Sequence, residues 1–304
     1  MTVLRFFSAH DDPVAWERAL RPLLPELDFR LDGPAEEVEV VLAWQPPPGL
    51  FAGMSRLRLV VNLGAGVDKL LARDDLPPVP VSRLNDQGMV QLMSSWVSWA
   101  VTSHARDTLK FAAAQRRGEW RYIHPRPLSS FRVGVLGLGE LGAPAARLLA
   151  SMGYDVRGWS RTPKDIPGVR CQSGELHEFL AGTDICVLLL PLTPQTRGMM
   201  DAAALSALPR GACLVNASRG ALVDEAALIE ALRSGHIAEA TLDAFAVEPL
   251  PPGHPFWAME NVVITPHLAS ITIPEEAAVD VAESIRRVLR GEAPLHQVDP
   301  GRGY

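Results

Sequence analysis

The sequence predicts an α/β protein built from two doubly wound parallel-sheet domains, and three observations carry that expectation. At 304 residues the chain is long enough for two domains that each bury a core. Short apolar, β-rich runs alternate with segments of helical periodicity through both halves, the pattern of βαβ units. The run Arg132-Val133-Gly134-Val135-Leu136 feeds Gly137-Leu138-Gly139-Glu140-Leu141-Gly142, so a short buried strand passes into a helix through a loop of minimal bulk. Composition is that of a globular chain, 47% hydrophobic and 21% charged.

In the first hundred residues, strands are expected at Val3–Phe7, Val38–Ala43 and Leu57–Asn62, with a helix around Val14–Leu24. Pro46-Pro47-Pro48 and Pro77-Pro78 mark loops. From Met89 to about Arg117 no proline interrupts the pattern, which reads as one long helix. Beyond the glycine loop, strands are expected at Val156–Trp159, Ile185–Leu189, Ala212–Val215, Ala240–Leu242 and Val262–Ile264, with helical stretches such as Glu225–Arg233 between them. This alternation is a dinucleotide-binding parallel sheet. The last helix, about Glu275–Arg290, returns to the first domain. The first domain is then residues 1–92 plus 273–304, discontinuous, and the second is 93–272.

A net charge of -6 argues against a nucleic-acid partner, which calls for a basic face. The longest apolar stretch, Met89 to Val101, is interrupted by Gln91 and serines and falls short of the ~20 residues of a membrane span. Val3–Phe7 is too short for a signal sequence, and Asp11 and Asp12 follow it, so a cytoplasmic protein is expected. Cys171, Cys186 and Cys213 are odd in number and read as free thiols in a reducing compartment. No metal site is read from the sequence.

The glycine loop has the chemistry of a phosphate cradle. Gly137 permits the tight turn, Gly139 lets a pyrophosphate approach the backbone, and Gly142 permits close helix–strand packing. The amides of Glu140 and Leu141 lie where the helix offers N–H groups and the positive end of its dipole. At the end of the next strand, roughly 20 residues on, an NAD-binding chain usually carries Asp or Glu. Ser160 stands there instead, followed by Arg161, Thr162 and, nearby, Lys164. Loss of the carboxylate and gain of a guanidinium favour a ribose 2′-phosphate, hence NADPH over NADH.

Three further residues close successive strand-like runs: Arg219 in Asn216-Ala217-Ser218-Arg219-Gly220, Glu248 in Val247-Glu248-Pro249, and His267 in Thr265-Pro266-His267. A guanidinium can hold a carboxylate and polarise an adjacent carbonyl. An imidazole can give the carbonyl oxygen a proton as hydride arrives, and a carboxylate beside it orients the ring and favours imidazolium. His254, between Gly253 and Pro255, reads as an ordinary loop residue.

With the glycine loop, these motifs resemble the D-isomer-specific 2-hydroxyacid dehydrogenase family from about Val60 to the C-terminus. Trp159-Ser160-Arg161, Leu190-Pro191 and the tail Gln297-Val298-Asp299 through Arg302-Gly303-Tyr304 resemble its glyoxylate/hydroxypyruvate reductase A branch. The resemblance implies a Rossmann cofactor domain, a smaller flavodoxin-like substrate domain, and catalysis by Arg219, Glu248 and His267. It implies cofactor contacts at Pro191, Thr196, Ala217, Ser218 and Asp243, and a substrate carboxylate on the amides of Ala65 and Gly66 in Leu63-Gly64-Ala65-Gly66-Val67-Asp68. Trp44 corresponds to an aromatic wall of the substrate pocket, and the long helix to part of a homodimer interface. The implied activity is reduction of glyoxylate and hydroxypyruvate, with bulkier 2-oxo acids such as phenylpyruvate, or a nicotinamide-sensing co-regulator, as the readings left open. Formate oxidation is disfavoured, because it needs no acid–base pair of the Glu248–His267 kind.

Overall fold

A computed structural model of the chain describes residues 1–303; Tyr304, the last residue of the tail named above, lies outside the described residues. In chain order the first elements are β1 (Thr2–Phe7), α1 (Pro13–Leu20), β2 (Leu27–Arg30), β3 (Val40–Ala43), β4 (Leu59–Asn62), α2 (Asp68–Leu71) and β5 (Val81–Arg83). Two helices follow, α3 (Gln87–Ala105) and α4 (Thr108–Arg116). Then come β6 (Arg132–Leu136), α5 (Gly142–Ser151), β7 (Asp155–Trp159), β8 (Arg170–Gln172), α6 (Leu176–Ala181) and β9 (Ile185–Leu188). The chain continues with α7 (Ala202–Ala207), β10 (Ala212–Asn216), α8 (Glu225–Arg233), β11 (Ile237–Leu242), β12 (Val262–Ile264) and α9 (Pro274–Leu289).

Packing divides the chain into two units, Met1–Met89 with Ile271–Tyr304, and Val90–Ser270. The first holds a five-stranded sheet in the order β2-β1-β3-β4-β5, parallel throughout, which is the flavodoxin-like winding. Its β3 and β4 are buried at every position, as a parallel strand covered on both faces requires. Helix α9 packs beside α1, and Arg286 donates to the Leu23 carbonyl at 2.7 Å, so the end of the chain completes the unit in which the chain begins.

The second unit holds a seven-stranded parallel sheet in the order β12-β11-β10-β9-β6-β7-β8. Strand order reverses between β6 and β9, the switch point at which doubly wound sheets bind ligands. One face is covered by α3 and α5, through Trp96, Val97, Ala100 and Val101 with Ala145, Ala146 and Leu149. The other is covered by α6, α7 and α8, through Phe179, Leu180, Leu205, Leu228 and Leu232. Arg132 and Asp184 join the start of β6 to the residue preceding β9, with Nε and Nη2 donating to the carboxylate at 2.9 and 2.6 Å. Burial pushes the Asp184 carboxyl up, but side-chain and backbone hydrogen bonds from Arg132 outweigh it and hold the group below its ordinary value.

The expected single helix from Met89 to Arg117 is two helices. The break falls at Arg106–Asp107, where Asp107, at the position preceding α4, adopts a left-handed conformation (φ 54°). Aspartate tolerates that region better than most residues, and its carboxylate pairs with Lys110 one turn on. Strands β2, β5 and β8 were not expected from the sequence; β8 has only three residues, two of them exposed. The three cysteines are unpaired, and burial pushes the thiols of Cys186 and Cys213 up to about 12. No helix among the described residues is long and apolar enough to cross a membrane.

Candidate active site

The glycine loop between β6 and α5 is built as close packing demands. Gly137 has φ 100°, and a β-carbon there would sit 2.4 Å from the Leu189 carbonyl oxygen. At Gly142 it would sit 1.8 Å from the carbonyl oxygen of Gly137. At Gly139 the outcome is the opposite: an added β-carbon meets no protein atom within 4 Å. Two glycines are therefore filled by the protein and the middle one faces open space. The N–H groups of Glu140 and Leu141 find no protein acceptor among the described residues. This is the arrangement a dinucleotide pyrophosphate fits.

Just past β7, Ser160 is buried, and its hydroxyl donates to the Thr162 carbonyl at 2.6 Å, tightening the turn that displays Arg161. Arg161, Thr162 and Lys164 are exposed. Among the described residues no carboxylate occupies the end of β7, and the turn presents two cations instead. Across the switch point, Thr196 donates to the Pro191 carbonyl at 2.7 Å and accepts from the Thr193 N–H at 2.8 Å, closing the loop after β9. Pro191 is exposed at its start.

The C-terminal ends of β10, β11 and β12 carry the acid–base group. Buried Asn216 ends β10 and organises the next turn: its amide donates to the Arg219 carbonyl at 3.0 Å and its carbonyl oxygen accepts from Ser218 N–H at 3.1 Å. Ser218 in turn donates to the Leu188 carbonyl at 2.8 Å, and Ala217 is buried beside it. Arg219 Nη1 donates to the Ser218 carbonyl at 2.9 Å and lies 3.5 Å from His267 Nε2. His267 Nδ1 stands 2.9 Å from Glu248 Oε1, which also accepts from the Phe245 N–H at 3.1 Å. The imidazole is thus held at one nitrogen by a carboxylate, while the other faces a guanidinium.

Two backbone features keep this group compact. A β-carbon at Gly220 would lie 1.9 Å from the carbonyl carbon of Phe245, so the Arg219 turn and the loop leading to Glu248 meet backbone to backbone. His267 itself has φ 55°, a conformation that costs a residue with a side chain about 1–2 kcal/mol and must be over-determined by its surroundings. Buried Asp243 supplies part of that: it accepts from Thr265 Oγ1 at 2.6 Å and from the N–H groups of Leu268 and Ala269, each at 2.9 Å.

In the other unit, the loop after β4 is shaped by Asn62, whose amide donates to the carbonyls of Gly64 at 2.8 Å and Gly66 at 3.2 Å. The N–H groups of Ala65 and Gly66 have no protein acceptor among the described residues. Helix α2 beyond the loop has only four residues, so its dipole adds little and the loop amides themselves are the donors. Half-buried Trp44 lies over Gly64, where a β-carbon would come within 2.5 Å of its indole ring.

Sequence reasoning missed Asn216, Gly220 and Thr265. The available signal was that each follows an apolar strand run directly, or a few residues on, with a residue that is polar or lacks a side chain. It also missed His104, whose ring nitrogens lie 2.8 Å from Glu239 and 2.9 Å from Thr241, tying α3 to β11. Cys213 lies close to this pair, but both imidazole nitrogens are already engaged, and hydrogen bonding accounts for the cluster. His254 bonds Glu225 at 2.9 Å and caps the turn before Phe256, a loop role.

Residues 98–269 match the model of the D-isomer specific 2-hydroxyacid dehydrogenase NAD binding domain. The chain belongs to this family. It is 38% identical over 309 residues to a glyoxylate/hydroxypyruvate reductase A of Serratia proteamaculans, covering 98% of this chain and 97% of the relative. Among solved structures, a D-isomer specific 2-hydroxyacid dehydrogenase from Xanthobacter autotrophicus in complex with NADPH and MES is 57% identical, with a TM-score of 0.96 over 100% of this chain and 99% of that one. An NADPH-dependent glyoxylate/hydroxypyruvate reductase from Sinorhizobium meliloti, in complex with NADP and sulfate, is 36% identical with a TM-score of 0.92, over 100% and 99% of the two chains. As a 2-hydroxyacid dehydrogenase, the chain is an oxidoreductase, and its two parallel sheets are those of the family.

Proposed function

We propose that the chain reduces small 2-oxo acids, glyoxylate and hydroxypyruvate, to the corresponding 2-hydroxy acids with NADPH. The observation that carries this reading is the imidazole of His267, anchored by Glu248 at Nδ1 and turned toward Arg219 at Nε2. NADPH supplies the hydride when bound. Gly137, Gly139 and Gly142 with the amides of Glu140 and Leu141 hold the pyrophosphate, and Ser160, Arg161, Thr162 and Lys164 receive the 2′-phosphate. Pro191, Thr196, Ala217, Ser218 and Asp243 complete the cofactor's surroundings.

Arg219 pairs its planar guanidinium with the substrate and draws electron density toward the oxo oxygen. His267, as imidazolium, gives its Nε2 proton to that oxygen while the carbon accepts a hydride, so both electrons come with the hydride, the second hydrogen comes from the imidazolium, and the ring is left neutral. Glu248 keeps Nδ1–H as the donor to its carboxylate throughout, which fixes the ring's tautomer and offsets the charge of imidazolium. The amides of Ala65 and Gly66 receive the substrate carboxylate, and Trp44 restricts the space to small oxo acids. The three free cysteines suit a reducing, cytoplasmic setting, and the exposed aromatics Trp120 and Tyr122 suit assembly as a homodimer.

The test is nicotinamide absorbance with a panel of glyoxylate, hydroxypyruvate, pyruvate and phenylpyruvate, each with NADPH and NADH. Fastest turnover is expected on the two small oxo acids with NADPH. Faster reduction of phenylpyruvate would overturn the substrate assignment. Tight NADPH binding without turnover on any of the four would identify a sensor instead.

A further inference from the structure

We infer that Asp243 is a positioning residue for His267, its carboxylate shaping the turn that places the imidazole between Glu248 and Arg219; this rests on the reading of His267 as the proton donor. The parallel ladder between β11 and β12 ends at the pair Leu242 and Ile264, followed by one further bond from Thr265 N–H to the Leu242 carbonyl at 3.0 Å. Beyond that point backbone pairing stops, and the Asp243 side chain takes over. Oδ1 accepts from Thr265 Oγ1 and Leu268 N–H, and Oδ2 from Ala269 N–H. These donors bracket His267 on both sides.

Other anchors of the turn are a backbone bond from His267 N–H to the Thr265 carbonyl at 3.0 Å and the burial of Ala269 in the core, and the three bonds to Asp243 join them across the segment. Leu268 is 47% exposed, so it does not anchor the segment by burial, and His267 has the positive φ that an unrestrained residue would leave. Asp243 is 2% exposed, and each of its three protein partners is a donor. A carboxylate offers acceptors only, with about four lone-pair sites, so three bonds to the turn use most of its capacity. Its isostere asparagine presents an NH₂ group in place of one oxygen and so faces at least one N–H or O–H donor to donor. The turn then opens, Nδ1 leaves Glu248, and Nε2 loses its place beside Arg219.

Asp243→Asn and Thr265→Val test this together, because the second removes one bond to Oδ1 and leaves the carboxylate in place. Kcat at saturating NADPH should fall ~10²-fold in Asp243→Asn, the loss typical of a catalytic group displaced by about an ångström. Thr265→Val should show a smaller fall in the same direction. The Kd for NADPH, read by fluorescence quenching, should be unchanged in Thr265→Val; a rise in Asp243→Asn, at a residue beside the cofactor, is separated from the fall in kcat by measuring kcat at saturating NADPH. In the ligand-free protein, the proton resonance of the His267 Nδ1–H that bonds Glu248, assigned by its loss in His267→Ala, should broaden in both variants. Wild-type kcat with an intact Nδ1–H resonance in Asp243→Asn would overturn the inference. So would a raised NADPH Kd with kcat unchanged at saturation, which would make Asp243 a cofactor contact and nothing more. If Asp243→Asn does not fold by thermal melting, kcat and the resonance in Thr265→Val decide the matter. Wild-type kcat in His267→Ala would sink the proton-donor reading instead, and the resonance comparison would still judge whether Asp243 holds the ring.

Discussion

At the scale of single residues, function rests on side chains whose charge and reach are both specified. Replacing His267 by Ala should lower kcat ~10²–10⁴-fold, the usual value of positioned acid–base catalysis, with NADPH affinity nearly unchanged. Steady-state kinetics beside a binding titration checks this, and near-wild-type kcat would remove His267 from the mechanism. Arg219→Lys keeps the charge but loses the planar fork, so KM for the oxo acid should rise and kcat should fall together. A rise in KM alone would confine Arg219 to carboxylate binding. Cofactor choice belongs at this scale as well. A charge-assisted bond is worth about 1.5–3 kcal/mol, roughly 10- to 150-fold, and an exposed guanidinium belongs at the lower end. Arg161→Ala should raise KM for NADPH about tenfold more than for NADH, and Ser160→Asp should shift preference toward NADH; equal effects of Arg161→Ala on both cofactors would return Arg161 to the ordinary surface. The residues carrying these predictions were visible in the sequence because their chemistry is unusual where they stand. Asn216, Gly220 and Thr265 were not, because their importance lies in which backbone atoms they meet, and only the assembled turns reveal that.

At the scale of elements, apolar runs were legible both in β6, buried at four of its five positions, and in β12, half-buried at the sheet edge, and the bounds of both match the runs read from sequence. Edge strands that carry charges were not: Leu27–Arg30 and Arg170–Gln172 are strands only through their neighbours' ladders. The break between α3 and α4 was equally hidden, since nothing but the left-handed conformation of Asp107 creates it. The Arg132–Asp184 tie lends itself to measurement. The folded carboxyl lies below its ordinary 3.8, so the tie's contribution is complete above about pH 4 and is lost as pH falls through the lower folded value. Asp184→Asn should therefore reduce stability near neutral pH by about 1–2 kcal/mol, discounted for partial exposure. The gap between variant and wild type should narrow below about pH 4. Urea melts across pH check this, and a gap constant with pH would show that the carboxylate's charge contributes nothing.

At the scale of the whole molecule, every strand pairing within both sheets is parallel, and each chemical motif lies at or just beyond the C-terminal end of a strand. That regularity is why the order of motifs along the chain translated directly into an arrangement in space. The segment after α4 follows a different logic: Trp120 is 99% exposed and Tyr122 78%, an apolar display that a monomer rarely keeps. With the homodimer proposed above, Trp120→Asp should weaken self-association by ~2 kcal/mol or more, about 30-fold in Kd, as loss of an interface tryptophan does. Light scattering across a dilution series would show it, and an unchanged mass at every concentration would place the interface elsewhere.

The contact between Gly220 and the Phe245–Ala246 backbone bears on how this enzyme can change over generations or in a directed-evolution campaign. With a β-carbon placed 1.9 Å from the Phe245 carbonyl carbon, only glycine is admitted, and the turn bearing Arg219 and the loop leading to Glu248 are committed to one another. Insertions or deletions in either segment cannot be absorbed locally, so variation that survives selection must accumulate elsewhere. Trp44 lies outside that locked region, and libraries aimed at new oxo acids should find most of their viable members by varying it and its loop while leaving the 216–220 and 243–248 segments untouched.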